Sequence, residues 1–549
     1  MDIVIRNARI VDGTGNPAFA GDVGVAGGRI AAVGRVEAQG AHEIDAQGRV
    51  LSPGFIDIHT HFDPQICWDR LATPSIEHGV TTAVMGNCSL SLAPVRAEGR
   101  RKLIKMFEKI EDIKEPTFDA AVPFNWESFG EYLSFIRQGL GLNIGALVGH
   151  SALRFYVMGA ASQERAATDA EIDRMCALLE EAMAAGALGL SISYVDIDED
   201  SRPVPSRFAD MREKTALCKA MAKSGRGVLQ TVPYFIDIEQ QLANIEELGD
   251  LSLASGVTCS IAPIIYSPAA PDNWKRSVAK LEEQRARGAK VYGQSMPRSF
   301  DINVRLSETS FLLYAAPEWN RIMQMPRAER RQAFADPALR PRLLEDANRL
   351  PVLMALKVGA TFSPENKKYE GRSLMEIAGE ENKPLAAAML DIAVTDGLET
   401  EFQLKGAIHS DPEQVIQILE HPLIHIGASD AGAHIAQFCG AGDTSDLLER
   451  FVRGMGKMSL ERAVQRITSE LADAWGIADR GKIAVGKAAD LVLFDPDKIA
   501  RRPDVFASDF PGEARRYVAH AEGLDAVIVN GEIVRERGRY TEARPGRIV

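Results

Sequence analysis

The chain has 549 residues, more than one hydrophobic core usually organises, so a large domain with at least one smaller one is expected. Its hydrophobic fraction of 46% is ordinary for a globular protein, and a formal net charge of -13 excludes nucleic acid or an anionic membrane as the main partner, because neither is attracted to that average field. The six cysteines Cys67, Cys88, Cys176, Cys218, Cys259 and Cys439 lack paired spacing. With no signal-peptide pattern and no apolar run long enough to span a bilayer, they predict a reduced, cytoplasmic protein.

Residues 2 to 50 read as short strands separated by glycine turns, for instance Ile3-Val4-Ile5, Val23-Gly24-Val25 and Ile30-Ala31-Ala32-Val33. The same texture returns near the C-terminus in Leu491-Val492-Leu493-Phe494 and Val527-Ile528-Val529. Both ends therefore predict one small β-sandwich domain, residues 1–52 plus 482–549, with residues 53–481 inserted between its halves. In that insertion strand-like and helix-like segments alternate, the pattern of βα units around a parallel sheet. The eight expected strands are Gly54–His61, Thr81–Gly86, Ile144–Val148, Gly189–Ser193, Gly227–Thr231, Val257–Ile261, Lys290–Gln294 and Leu423–Ser429. Eight such units fit an α/β fold of the (β/α)8 TIM-like barrel type, with its active site at the C-terminal ends of the strands. Asp169–Ala185 shows a helical stripe of Ile172, Met175, Leu178, Leu179 and Met183, which is core packing. Residues 303–411 lose the short alternation and predict a mostly helical excursion between strands seven and eight.

The first expected strand ends in Asp57-Ile58-His59-Thr60-His61. Residues two apart on a strand share a face, so Asp57, His59 and His61 should line up, and two imidazoles at a strand end begin a metal site. Asp430 follows the eighth strand, which adjoins the first where a barrel closes.

Ser52-Pro53-Gly54-Phe55-Ile56-Asp57-Ile58-His59-Thr60-His61, Ser429-Asp430, Gly486-Lys487-Ala488-Ala489-Asp490-Leu491-Val492 and Val529-Asn530-Gly531 together resemble the amidohydrolase superfamily over nearly the whole chain. Met85-Gly86-Asn87-Cys88, Val148-Gly149-His150 and Gly186-Ala187-Leu188-Gly189-Leu190-Ser191 are most similar to its N-acyl-D-amino-acid deacylase (D-aminoacylase) group. The resemblance implies a hydrolase of a linear N-acyl amide that uses a divalent metal, usually zinc. It places His59, His61, Asp430 and Cys88 at the metal, with Asp430 carrying the proton from water to the leaving amine. His150 and His434 are candidates to orient substrate. Arg298, after the seventh strand, could clamp a substrate carboxylate through paired hydrogen bonds.

Strands five and six lack the histidines that the group carries, reading Val228-Leu229-Gln230-Thr231 and Thr258-Cys259-Ser260-Ile261, and the fourth strand lacks the lysine of other branches. These departures imply a single ion. They leave open a hydrolase of a cyclic amide, an imide or a xenobiotic amide, and a ligand-depleted scaffold without catalysis. A homo-oligomer is compatible with the sequence, which does not specify one.

Overall fold

The computed structural model describes residues 1–477 and 479–549. Strands covered on both faces need nearly continuous apolar runs, and eight such runs pair in parallel in one sheet. They are β1 (Phe55–Asp57), β2 (Val80–Met85), β3 (Asn143–Gly149), β4 (Gly189–Ser193), β5 (Val228–Val232), β6 (Thr258–Ile261), β7 (Val291–Ser295) and β8 (Ile424–Ile426), each on its expected segment. Their order in the sheet follows the sequence from β1 to β8. The two edges meet beyond the strands proper. Thr60 bridges Ala431 in parallel, the Asp430 N–H donates to the His59 carbonyl at 3.0 Å, and the His61 N–H donates to the Ala431 carbonyl at 2.7 Å. The fold is thus the expected TIM-like α/β barrel, and its seam joins the two segments with the strongest chemical signal.

The helices between strands bury amphipathic faces against this sheet. Asp169–Ala185 starts at a capping box in which the Thr168 side chain accepts from the Glu171 N–H and the Glu171 carboxylate accepts from the Thr168 N–H. It buries Ile172, Met175, Leu179 and Met183.

A second, nine-stranded sheet draws on both termini: Val50–Pro53 pairs antiparallel with Leu491–Phe494, which pairs in turn with Leu524–Val529. Alternation gives it two apolar faces. Leu491, Leu493, Ala526 and Ile528 pack with Ile3 and Ile5 in the sheet's own core, whereas Val492, Phe494, Val527 and Val529 join the core around the barrel. Residues 500–522 leave this sheet as one hairpin arm with two short paired stretches, and the Tyr517 N–H donates to the Ile435 carbonyl at 2.7 Å, just past Asp430. The final residues dock on β3, where Ile548 bridges Ile144 and the Val549 N–H donates to the Ile144 carbonyl at 3.0 Å.

Between β7 and β8 the chain builds a subdomain with its own core. Helices Pro317–Met323, Arg327–Ala335, Arg340–Asp346, Leu374–Glu380 and Leu385–Thr395 gather around Trp319, Phe334 and Phe402. A three-stranded antiparallel sheet of Ile302–Val304, Lys357–Val358 and Phe402–Leu404 stands at its base. Phe438, on the loop after Asp430, is buried in this same core, and Ser310 donates to the Gln437 side-chain oxygen at 2.7 Å. The excursion therefore grips the loop that carries Asp430. Among the described residues no helix is long and apolar enough to cross a membrane.

Candidate metal centre

Regular pairing of β1 stops at Asp57, so Asp57 parts from the two histidines. Its carboxylate accepts from the Ser429 hydroxyl at 2.6 Å and from the His59 N–H at 3.3 Å, and burial pushes it up to about 7. His59 and His61, 4% and 1% exposed, turn toward Cys88 and Asp430.

Cys88 reaches the site from the loop after β2. Gly86 begins that loop at φ +84°, where a Cβ would lie 2.2 Å from the Leu147 carbonyl oxygen, so only glycine fits. The Asn87 amide donates to the carbonyls of Thr60 and Val84, both at 3.0 Å, tying the loop to both strands. Cys88 and Asp430 are themselves left-handed, at φ 53° and 61°. Such backbone strain in residues other than glycine costs energy and persists only where the surroundings hold it.

Four donor atoms converge. Cys88 Sγ lies 3.5 Å from His59 Nε2 and 3.8 Å from His61 Nε2, and Asp430 Oδ1 lies 3.7 Å and 3.0 Å from the same two nitrogens. Zinc bonds of about 2.3 Å to sulfur and about 2.0–2.2 Å to nitrogen or oxygen place tetrahedral donors about 3.3–3.6 Å apart. The spacings bracket that range, and thiolate with imidazole is a donor chemistry that zinc accepts. His59, His61 and Cys88 are the grouped donor set found among the described residues, and Asp430 touches both of its histidines.

Polar partners fix the rings. Gln294 Oε1 stands 3.2 Å from His59 Nδ1, while the Gln294 amide nitrogen donates to Ser260 Oγ at 2.9 Å. That orientation puts the His59 proton on Nδ1 and leaves Nε2 free to bind. Glu111 Oε1 is 3.0 Å from His61 Nδ1, an ion-pair contact that draws a proton to that side of the second ring. Gln230, on β5, accepts from the Cys88 N–H at 3.3 Å and places its amide nitrogen 3.4 Å from His59 Nδ1. Burial holds His59 down at about 4. Burial also opposes charge on His61, but Glu111, Cys88 and Asp430 outweigh it and raise His61 well above its ordinary value. For Asp430 burial is likewise outweighed, by a hydrogen bond from His61 and by the charges of His61, His434 and His59, so the carboxyl sits well below the usual range. Burial pushes the Cys88 thiol up.

The amidohydrolase family model matches residues 42–535. The chain belongs to the amidohydrolase family. This amidohydrolase is 29% identical over 565 residues to a D-aminoacylase of Alcaligenes xylosoxydans xylosoxydans, covering 100% of this chain and 97% of the relative. It is 28% identical over 556 residues to an N-acyl-D-aspartate deacylase of the same organism, covering 100% and 95%. A solved D-aminoacylase structure, concerned with the role of its binuclear metal center, matches with a TM-score of 0.67 at 28% identity, covering 100% of this chain and 99% of that one.

His434 stands beside Asp430, its Nε2 3.8 Å from Oδ2, with Phe311 of the excursion against its ring. His150 and Arg298 lie elsewhere. His150 is fully buried, with Nε2 2.8 Å from Glu213, whose other oxygen takes the buried Arg154. Arg298 does not open onto the mouth as the expected clamp: its Nη2 donates to the Ser429 carbonyl at 2.6 Å, and its Nε lies 2.9 Å from Asp443. Both sit one layer behind the strand ends, where burial demands a protein partner for each charge. Glu111, Gln230 and Gln294 are absent from the sequence-based candidates. A buried carboxylate or amide far from the motifs gives no local signal.

Proposed function

We propose that this amidohydrolase is a metal-dependent deacylase that hydrolyses a linear amide, an N-acyl-D-amino acid or a related N-acyl compound. The convergence of His59, His61, Cys88 and Asp430 carries the reading. It is supported by whole-length similarity to a D-aminoacylase and an N-acyl-D-aspartate deacylase.

His59, His61 and Cys88 would hold one zinc ion, leaving a position for water beside Asp430. Gln230 and Ser260 occupy the strand-five and strand-six segments where the resemblance calls for histidine, and the Gln230 side-chain oxygen and the Ser260 hydroxyl are spent on Cys88 and Gln294. When bound, zinc lowers the pKa of a water molecule and polarises the scissile carbonyl. Asp430, ionised at neutral pH, accepts a proton from the attacking water at Oδ1 and returns it to the leaving nitrogen. His434 borders the other carboxylate oxygen, where a substrate oxygen can be hydrogen-bonded. Gln294 and Glu111 keep the two imidazoles turned toward the site throughout.

Six cysteines free of disulfides support a reducing, cytoplasmic setting. We infer a small-molecule substrate, and a homo-oligomer is to be read by sedimentation. The decisive experiment loads purified protein with zinc, measures metal per chain, and follows amine release from N-acyl-D-amino acids, their L-isomers and cyclic amides. One ion per chain with release from the D-series supports the reading. Opening of cyclic amides alone would replace it, and a chain that takes up no metal would make the protein a scaffold.

A further inference from the structure

Asp430 lies at left-handed φ, 61°, and its carboxylate must face two histidine nitrogens. Something must hold the peptide plane that precedes it. That plane, between Ser429 and Asp430, is gripped at both ends: its carbonyl accepts from Arg298 Nη2 at 2.6 Å, and its N–H donates to the His59 carbonyl at 3.0 Å. The Ser429 side chain adds a second set of ties. Its hydroxyl donates to Asp57 at 2.6 Å, lies 3.2 Å from the His59 carbonyl, and accepts from the Ala431 N–H at 3.1 Å. Arg298 is steadied in turn by Asp443 at 2.9 Å and by the Phe438 ring 5.1 Å below its guanidinium. Gly440 presses from the outside, where a Cβ would lie 2.4 Å from the Ser429 carbonyl oxygen and 2.6 Å from the Asp430 carbonyl carbon. Nothing in this shell touches the four donor atoms except through Ser429 and the backbone of His59.

We propose that Arg298, Ser429 and Asp57 form a positioning clamp that aims Asp430, with the Ser429 hydroxyl and carbonyl as its joint. The proposal rests on Asp430 being the proton carrier. A reacting group displaced by about 1 Å can cost about a hundredfold in rate, so a clamp acting on one peptide plane reaches catalysis without meeting substrate. It also explains why an arginine after β7 is buried: it holds the Asp430 backbone in place, and Phe438, rooted in the core of the excursion, holds the arginine.

The test uses full-length zinc-loaded protein carrying Ser429→Ala, Ser429→Thr or Arg298→Lys, with cobalt-loaded samples of each. Expected for Ser429→Ala and Arg298→Lys are zinc still bound at wild-type stoichiometry, kcat lower by about 10–100-fold, KM within about threefold, and a shifted visible cobalt spectrum. Ser429→Thr, which keeps the hydroxyl, should recover most of the loss. If Ser429→Ala fails to fold, Arg298→Lys, which keeps the charge but loses the planar fork, carries the test. The clamp is overturned if kcat stays within about twofold in the folded variants, or if it falls while the cobalt spectrum stays that of wild type. Should wild-type protein hydrolyse no N-acyl compound, the reading of the reaction fails, while the cobalt spectra still decide whether the clamp sets the carboxylate.

Discussion

Replacing Glu213 by Gln separates a substrate-orienting role for His150 from a packing role. Glu213, His150 and Arg154 have no side-chain exposure, so water cannot stand in for a lost partner. Glutamine keeps the shape and one acceptor but removes the Glu213 carboxylate from Arg154, whose Nη2 retains the carbonyls of Arg165 at 3.0 Å and Ser162 at 3.4 Å. Breaking a buried pair from one side typically costs about 3–5 kcal/mol, and the two surviving carbonyl contacts place this case at the lower end, about 3 kcal/mol. Burial opposes ionisation of Glu213, but His150 and Arg154 outweigh it and lower its pKa from 4.5. A carboxylate lowered in the folded state contributes stability that is present above the unfolded value and is lost as pH falls through the folded one. The gap between wild type and variant should therefore be full at pH 7 and shrink below about pH 4.5. Guanidinium unfolding followed by tryptophan fluorescence at several pH values measures the gap, and amine release per bound zinc measures function. Stability lower by about 3 kcal/mol with turnover within about twofold supports packing. A loss of turnover at unchanged stability would refute the reasoning and return His150 to the substrate.

Asp430→Asn should retain the fold, seen by circular dichroism, and lose about 10²–10⁴-fold in kcat when zinc content is matched. Glu111→Gln should weaken zinc binding by about 10–100-fold in a chelator competition, because the ring it holds loses its anionic partner. Trp319→Ala should cost the excursion about 3–5 kcal/mol, since this side chain is fully buried in a core separate from the barrel. Limited proteolysis should then cut within residues 305–400 while the barrel strands stay resistant. Equal loosening of both regions would mean the two cores unfold as one.

The barrel was legible because its strands are covered on both faces, which forces dense apolar runs such as Val80–Met85 and Ile144–Val148. The donors His59, His61, Cys88 and Asp430 stand out because imidazole, thiol and carboxylate at strand ends carry chemistry that neighbouring residues do not explain. What orients them was not legible. Glu111 ends an ordinary amphipathic helix, and Gln294 looks like any polar residue in a strand. Their partners lie far off in sequence, 235 residues away for Gln294 and His59. Arg298 shows the converse failure. An arginine after a barrel strand suggests a mouth, but the loops that follow fold back over it, and that depends on Phe438 and Asp443 more than a hundred residues later. The hairpin arm at 500–522 was hidden for a similar reason: its short β runs resemble the terminal sheet until Tyr517 is seen against Ile435.

The last residues of the chain lie against β3, and Val50–Pro53 pairs with Leu491–Phe494. During synthesis, Val50–Pro53 waits for a partner made hundreds of residues later. Pairings this distant in sequence are slow to form, and until then the apolar edge beside Ser52 is open to wrong partners. Growth at low temperature or a holding chaperone should thus raise the soluble yield more than a change of promoter, and a bulky C-terminal fusion should lower it by keeping Ile548 from Ile144.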